Sequence, residues 1–119
     1  MVNLRSGREI SDLVSPYFIA EMNTSHFGDI SKAKDMILAA KESGADCVKF
    51  QSWSANTLYS DEYYNENPVA KRFVKKFSLA DEELAKLASF AKSNQIDFSS
   101  TPYSIDEAIF LVEKCEVPF

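Results

Sequence analysis

Polar side chains that could do chemistry stand at the ends of short apolar runs in this sequence. Glu21 lies near the end of the run YFIAEM, Lys49 and Gln51 lie within CVKFQSW, and Thr101 lies within IDFSSTPY. A lysine supplies a point charge for a carboxylate or a phosphate, and a glutamine can bind hydroxyl groups. A glutamate can act as a general acid, a general base or a hydroxyl acceptor. These four residues together predict a site for an anionic, hydroxylated substrate.

The composition of the chain limits the classes of partner. The chain has 119 residues, 45% of them hydrophobic, and a net charge of -5, which is typical of one modest globular domain. This charge gives no support to a nucleic-acid or acidic-membrane partner, because both require a basic face. Cys47 and Cys115 lack the spacing of a disulfide framework or a zinc site. No signal peptide is visible at the N-terminus, so we expect a cytoplasmic protein with no membrane partner.

Three apolar runs position the polar residues and alternate with amphipathic segments. The runs predict strands over Tyr17–Met22, Asp46–Trp53 and Ile96–Tyr103. Each predicted helix has a candidate capping residue at its start: Asp29 or Ser31, Asn67, Ser78 with Asp81, and Ser104 with Glu107. The stripes expected to be buried are Ala33, Met36, Ile37 and Ala40, then Leu84, Leu87, Ala88 and Ala91, and finally Ile105, Ala108, Ile109 and Val112.

Strands separated by crossover helices predict a parallel sheet and an α/β fold. Two architectures fit this pattern, an open doubly wound sheet and part of a (β/α)8 TIM barrel. The chain has only three glycines and no G-x-G-x-x-G sequence, which disfavours a dinucleotide-binding sheet. A complete barrel takes roughly 250 residues. We therefore predict a partial barrel over residues 1–119, with three βα units and the start of a fourth strand at VPF.

Side chains alternate across a strand, so the predicted strands each have an apolar and a polar face. Lys49 and Gln51 share one face of the second strand, and Ser99 and Thr101 share one face of the third. A buried lysine requires a partner, and Glu21 on the neighbouring strand can supply it. In α/β barrels the active site lies at the carboxyl ends of the strands. We therefore expect these polar groups to converge there.

Each of these residues also has a purely structural interpretation. Glu21 and Lys49 can form only a buried ion pair, and Gln51 can be a satisfied polar group of the core. Thr101 can shape a turn, and His26, the only histidine, can be an exposed loop residue. Polar groups at the same end of three successive strands favour a functional site over three separate accidents.

The segments FIAEMNTSHFGD, AAKESGADCVKFQSW and FSSTPYSIDEA resemble the N-terminal barrel domain of the N-acetylneuraminate (sialic acid) synthase family. The resemblance runs from about Pro16 to the end of the chain. It implies a (β/α)8 barrel that is followed by an antifreeze-like domain in a homodimer. It also implies the condensation of phosphoenolpyruvate with an N-acetylated hexosamine to a nine-carbon 2-keto sugar acid. The divalent metal would be Mn2+ or Mg2+.

The resemblance also implies roles for particular residues. It implies catalytic roles for Glu21 and Lys49, and substrate contacts for Gln51, Thr101, Asn65, Asn23 and His26. Thr101 would contact the phosphate of phosphoenolpyruvate. Asn23 and Ser25 stand where the family commonly has glycine and asparagine, so we expect them to affect the choice of sugar. The family's metal-binding histidines lie in the second half of the barrel, so we expect no metal ligand in this chain.

The resemblance covers a first half-barrel without a second domain in residues 1–119. We therefore expect this chain to be inactive by itself. Two other functions are compatible with the residues: another phosphoenolpyruvate or phosphosugar barrel of the aldolase type, and a non-catalytic half-barrel that serves as an interaction module.

Overall fold

The computed structural model describes all residues from 1 to 119. The strands are β1 (Val2–Asn3), β2 (Glu9–Ile10), β3 (Ile19–Asn23), β4 (Cys47–Ser52) and β5 (Asp97–Pro102). The helices are α1 (Ile30–Glu42), α2 (Ala55–Leu58), α3 (Asp61–Glu66), α4 (Pro68–Phe77), α5 (Asp81–Ser93) and α6 (Ile105–Glu113).

The three predicted strands form one parallel sheet in the order β3-β4-β5. Glu21 pairs with Lys49, and Lys49 pairs with Ser99 on its other side. The next polar pair along the strands is Gln51 with Thr101. Because paired residues of parallel strands point to the same face, the register confirms that the predicted polar residues of β4 and β5 share one face.

The core lies between the other face of this sheet and the crossover helices. The buried cluster combines sheet residues with residues of α1, α5 and α6: Val48, Phe50, Phe98, Ala33, Ile37, Ala40, Leu84, Leu87, Ala88, Ala91 and Leu111. Helix α1 contacts α5, so the two crossovers lie on one side of the sheet. Strands in sequence order with helices on one side are the repeating arrangement of a (β/α) barrel, whereas a doubly wound sheet has helices on both sides.

The three helix-to-strand connections share one local geometry. Gly44, Gln95 and Glu116 each have a positive φ, of 85°, 58° and 52°. In each connection the next amide donates back to a carbonyl of the preceding helix: Ala45 to Ala40, Ile96 to Ala91, and Val117 to Leu111. The chain therefore turns out of α6 into residues 117–119 in the same way that it turns out of α1 towards β4 and out of α5 towards β5. Residues 117–119 form no strand, and the Pro118 carbonyl accepts the Arg5 N–H instead.

Helix capping follows the prediction at α1 and α6 and differs from it at α4 and α5. Asp29 caps α1 and Ser104 caps α6 through their side chains. Asn67 precedes α4, but its amide donates to the Tyr63 carbonyl and leaves the cap unmade.

The capping box predicted from Ser78 and Asp81 is wrong. Ser78 ends α4, and its hydroxyl donates to the Lys75 carbonyl, so it is not available to α5. Helix α5 begins at Asp81 after Ala80, whose N–H donates to the Glu83 carboxylate at 2.9 Å.

The buried stripe predicted for α6 is also largely wrong. Ile105, Ile109 and Val112 are exposed at 79%, 49% and 52%, while Leu111 is buried and Phe110 packs against the core. The sequence IDEAIFLVE is apolar on two faces, so its periodicity alone could not choose between them. No element within residues 1–119 covers the face that carries the exposed stripe.

The sequence did not predict the N-terminal hairpin of β1 and β2. Its strands have two residues each, too few for an alternating pattern. The hairpin is attached to the rest of the chain by buried Leu4 and by Arg5, whose guanidinium donates to the Val112 carbonyl at 2.7 Å.

Candidate active site

The centre of the candidate site is an ion pair between Glu21 of β3 and Lys49 of β4. The Lys49 Nζ lies 3.0 Å from the Glu21 Oε2, and the two side chains are 30% and 46% exposed, respectively. The other Glu21 oxygen accepts the Asn23 N–H at 3.3 Å. An ammonium has three N–H donors, and the ion pair uses one of them. Lys49 therefore retains donors for an anionic ligand.

Gln51 and Thr101 lie beside each other one step closer to the carboxyl ends of the strands. The Gln51 Oε1 accepts the Tyr103 hydroxyl at 3.4 Å, which leaves its NH2 group free to donate. The Tyr103 ring meets the Trp53 ring edge to face at 5.6 Å, and the Trp53 indole N–H donates to the Val74 carbonyl of α4. The Thr101 hydroxyl bonds to no other group of the chain. Both side chains are thus free to bind a ligand.

Two backbone donors at the start of α6, near Thr101, are already bound to side chains. The Ser104 hydroxyl accepts the Glu107 N–H at 3.2 Å, and the Glu107 carboxylate accepts the Tyr103 N–H at 2.8 Å. Asp106 adds a second negative charge in the same turn. These carboxylates repel a phosphate at this helix start, so a phosphate at the rim would depend mainly on Lys49 and Thr101.

A partly buried network closes the opposite end of the polar face. The Tyr17 hydroxyl donates to the Asp97 Oδ2 at 2.6 Å, and Cys47 pairs with Asp97 in the register. Burial raises the pKa of the Tyr17 hydroxyl far above its ordinary range and that of the Cys47 thiol to about 12. Both groups remain protonated near neutral pH, so Cys47 is not a nucleophile. The sequence did not predict this network because Tyr17 and Asp97 are 80 residues apart, and no local pattern pairs them.

The structure does not bring His26 to the ion pair. Its ring is completely buried and lies 5.8 Å from the ring of Phe50, a residue of the core. The Nδ1 atom accepts the Gly28 N–H at 2.9 Å, and the Nε2 atom is buried without a partner. The interpretation of His26 as an exposed loop residue is wrong, because the turn after β3 folds inward over the core.

Asn23 lies at the rim next to Glu21 and has an unusual backbone. Its φ is 50°, and the register of β3 with β4 shifts between Glu21 and Asn23. A positive φ favours glycine and tolerates asparagine best among the other residues. The asparagine at a family glycine position thus keeps the turn geometry and adds an exposed amide. Ser25 continues the same turn, its N–H donating to the Met22 carbonyl.

Asn65 is not connected to the other candidate residues. It lies exposed on α3, a helix absent from the prediction, and makes no hydrogen bond to Glu21, Lys49 or Gln51. The neighbouring Tyr59, Tyr63 and Tyr64 pack against one another.

Helix α4 packs against the turn that follows β3. Gly28 has a φ of 77°, and a Cβ atom at this position would clash with the backbone carbonyl of Lys76. Phe27 contacts Phe77 with ring centroids 5.6 Å apart. The glycine is therefore required both for its conformation and for the close approach of α4.

No group of three or more His, Cys, Asp or Glu side chains in this chain is arranged to hold a metal ion. The carboxylates of the polar face are separated: Glu21 bonds to Lys49, and Asp97 bonds to Tyr17. The residues present therefore do not fit a divalent-metal site. No helix has the length and apolar character needed to cross a membrane.

A parallel sheet with helices on one side and charged and amide groups at its carboxyl end places the chain among α/β folds of the barrel type. Comparison with known proteins then identifies the family. The sequence profile of the NeuB family matches residues 36–119, and the chain belongs to that family.

Relatives of this chain are sugar-acid synthases. The chain is 36% identical over 115 residues to the N,N'-diacetyllegionaminic acid synthase of Legionella pneumophila, with 86% of this chain and 32% of that protein covered. It is 29% identical over 127 residues to the N-acetylneuraminate-9-phosphate synthase of Mus musculus, with 99% and 35% covered. The chain thus spans about a third of the length of these relatives.

A solved structure supports the same assignment. The N-acetylneuraminic acid (sialic acid) synthetase from Leptospira borgpetersenii serovar Hardjo-bovis, in complex with citrate, superposes with a TM-score of 0.74 at 27% identity. The superposition covers 97% of this chain and 40% of that chain. Nearly the whole described fold is therefore similar to one part of a larger synthase.

Proposed function

We propose that residues 1–119 form the first part of a (β/α)8 barrel in a sialic acid synthase-like enzyme. The enzyme would condense phosphoenolpyruvate with an N-acetylated hexosamine to a nine-carbon 2-keto sugar acid. The observation that carries this proposal is the Glu21–Lys49 pair beside Gln51 and Thr101, at the carboxyl end of the sheet of a NeuB-family chain. Family membership favours this function over an aldolase-type barrel or a half-barrel interaction module.

The proposed reaction joins carbon 3 of phosphoenolpyruvate to the aldehyde carbon of the sugar. Water adds at carbon 2, and phosphate leaves by cleavage of its C–O bond, so that a ketone and inorganic phosphate are the products. The aldehyde oxygen gains a proton as the C–C bond forms. Glu21 is the carboxylate that lies beside Lys49 at the open rim, and we assign it to the sugar and its proton.

The other rim residues would bind and orient the two substrates. Lys49 would attract the carboxylate or phosphate of phosphoenolpyruvate with its remaining N–H donors. The Thr101 hydroxyl would donate to the phosphate, and the free NH2 group of Gln51 would bind a substrate oxygen. Asn23, exposed at the rim, would contact the sugar. For Asn65 and His26 a direct substrate contact stays a prediction.

No step of this proposal passes through a metal, because this chain has no ligand set for one. The Mn2+ or Mg2+ ion and the homodimer that the resemblance implies stay predictions for the protein at its natural length. We propose a reducing, cytoplasmic setting, which the two free and buried cysteines support.

The test is an assay of phosphate release by the protein expressed at its natural length. We expect release to require phosphoenolpyruvate, an N-acetylated hexosamine and a divalent cation together. Glu21→Gln should lower the rate by about 100-fold or more, because a neutral amide cannot transfer a proton. Phosphate release without the sugar, or aldol cleavage without phosphoenolpyruvate, would contradict the proposal and indicate an aldolase-type barrel.

A further inference from the structure

The proposed reaction assigns no chemical step to His26, the single histidine of the chain. It lies in the turn between β3 and α1, and its side chain is completely buried. The Nδ1 atom accepts the Gly28 N–H at 2.9 Å, and the His26 carbonyl accepts the Asp29 N–H at 3.0 Å. Asp29 in turn caps α1. The histidine therefore links the turn to the start of the following helix.

The hydrogen bond to Gly28 specifies the protonation state of the ring. A neutral imidazole has one acceptor nitrogen and one N–H, so an accepting Nδ1 requires the proton on Nε2. The Nε2 atom is buried with no partner, and the surrounding ring of Phe50 is apolar. A second proton would turn Nδ1 into a donor that faces the Gly28 donor. The observed turn thus fits only the neutral ring.

Burial lowers the pKa of His26 in agreement with this geometry, and Glu83 of α5 acts weakly in the opposite direction. Other charged groups lie on the elements around the turn: Asp29 at the start of α1, Lys49 on β4, and Lys75 and Lys76 on α4.

The turn that His26 stabilises begins at the catalytic candidate Glu21. The Asn23 N–H donates to the Glu21 carboxylate, and the Ser25 N–H donates to the Met22 carbonyl. At the other end of the turn, Gly28 lies against the Lys76 carbonyl of α4. The positions of the Asn23 amide and of Gly28 therefore depend on one short segment, and His26 anchors that segment in the core.

We propose that His26 is a positioning residue that holds Glu21 at the rim through the Gly28 hydrogen bond, as a neutral imidazole protonated at Nε2. The catalytic value of holding Glu21 in place rests on the proposed function. The hydrogen bond from Gly28 to His26 and its effect on Asn23 are independent of that function. This positioning role differs from the substrate contact that the family resemblance predicts for His26, because the ring lies in the core.

Two substitutions separate the acceptor from the ring. In His26→Asn the side-chain oxygen replaces Nδ1 as the acceptor for Gly28, while the ring is lost. In His26→Phe the ring volume remains and the acceptor is lost. The readouts are the 15N shifts of the histidine ring, the hydrogen-exchange rate of the Gly28 amide and the chemical shift of the Asn23 amide, in the protein at its natural length.

We expect the wild-type ring to show the Nε2–H tautomer. The Gly28 amide should exchange about 10-fold faster in His26→Phe, in line with the loss of one hydrogen bond, and the Asn23 amide shift should move. His26→Asn should restore both readouts to near their wild-type values. In the wild type, the Asn23 shift should titrate with the same pH midpoint as the ring.

An Nδ1–H tautomer in the wild type would overturn the proposal, and this measurement does not depend on the folding of any variant. Equal effects of His26→Asn and His26→Phe would show that ring packing, not the acceptor, holds the turn. These readouts use no enzyme assay. A protein that lacks synthase activity would defeat the proposed function and leave this test valid.

Discussion

At the residue scale, the Glu21–Lys49 pair has an internal comparison in this chain. Lys92 and Glu116 are also 3.0 Å apart, with side chains that are 79% and 56% exposed, and they lie away from the rim. Solvent-exposed pairs contribute about 0–1 kcal/mol to stability, so neither pair is needed for the fold on energetic grounds. What distinguishes Glu21 and Lys49 is their position beside Gln51 and Thr101, which have unused donors.

The first prediction concerns the stability effect of the Glu21 charge. We expect Glu21→Gln to change the free energy of unfolding by less than about 1 kcal/mol, because the pair is half-exposed. Urea unfolding measures this change. Glu116→Gln is the matched control and should have a similarly small effect on stability, with no effect on phosphate release. A loss of several kcal/mol in Glu21→Gln would show that this carboxylate serves the fold.

The second prediction concerns Gly28, where two requirements for glycine coincide. Gly28→Ala should destabilise the protein by more than Gly7→Ala, because Gly28 combines a positive φ with a clash against α4. Gly7 has a φ of 87° and open space around it, so it reports the backbone cost alone, about 1 kcal/mol. We expect an additional cost of about 1–3 kcal/mol at Gly28. Equal costs in urea unfolding would contradict the close approach of α4.

At the element scale, the parts that the sequence predicted are those with a strong period. The alternation in CVKFQSW placed Lys49 and Gln51 on one face, and the register confirms it. The stripe Leu84, Leu87, Ala88 and Ala91 is buried as predicted. Helices α2 and α3 and the hairpin were not predicted, because each is too short to show a period.

The predictions that were wrong or missing concern residues whose positions depend on contacts with distant parts of the chain. Helix α6 has two apolar faces, and only its packing against the core selects Leu111 over Ile105. His26 has no periodic signal at all, and its burial follows from the path of the turn over Phe50. The Tyr17–Asp97 bond joins residues that are 80 positions apart. Long-range partners of this kind lie beyond single-sequence reasoning.

The third prediction tests the orientation of α6 in the 119-residue chain. Leu111→Ala should cost about 2–5 kcal/mol in the free energy of unfolding, because it removes a buried side chain. Ile105→Ala should cost less than about 0.5 kcal/mol, because its side chain is exposed. Urea or thermal unfolding measures both. A larger cost for Ile105→Ala than for Leu111→Ala would mean that the helix is rotated.

At the scale of the whole molecule, the polar face of the sheet changes character along its strands. Its amino end is closed by the Tyr17–Asp97 hydrogen bond and by the buried Cys47 thiol. The Tyr17 hydroxyl and the Cys47 thiol are both protonated near neutral pH. Its carboxyl end is open, with Lys49, Gln51 and Thr101 free to bind. Structural polar groups thus lie at the amino end of the strands and candidate binding groups at the carboxyl end, as expected for a barrel whose active site lies at one end.

The fourth prediction concerns stability below neutral pH. Burial lowers the pKa of His26 below its ordinary value of 6.5, so the unfolded chain binds this proton more readily than the folded chain. The contribution of His26 is present above pH 6.5 and is lost as the pH falls through the folded-state pKa. We expect the urea midpoint to fall more steeply with decreasing pH in the wild type than in His26→Asn. Identical pH profiles would contradict the buried neutral ring.

We propose that Lys49 of this chain binds phosphoenolpyruvate at the open end of the sheet. Calorimetric titration of phosphoenolpyruvate into the natural-length protein, Lys49→Ala and Lys92→Ala tests it most directly. We expect Lys49→Ala to weaken binding by about 30-fold or more, since truncation of a charged hydrogen-bond partner costs about 2–5 kcal/mol. Lys92→Ala, which removes the matched exposed pair, should bind within about 2-fold of the wild type. Equal affinity of Lys49→Ala and the wild type would contradict the assignment of this site.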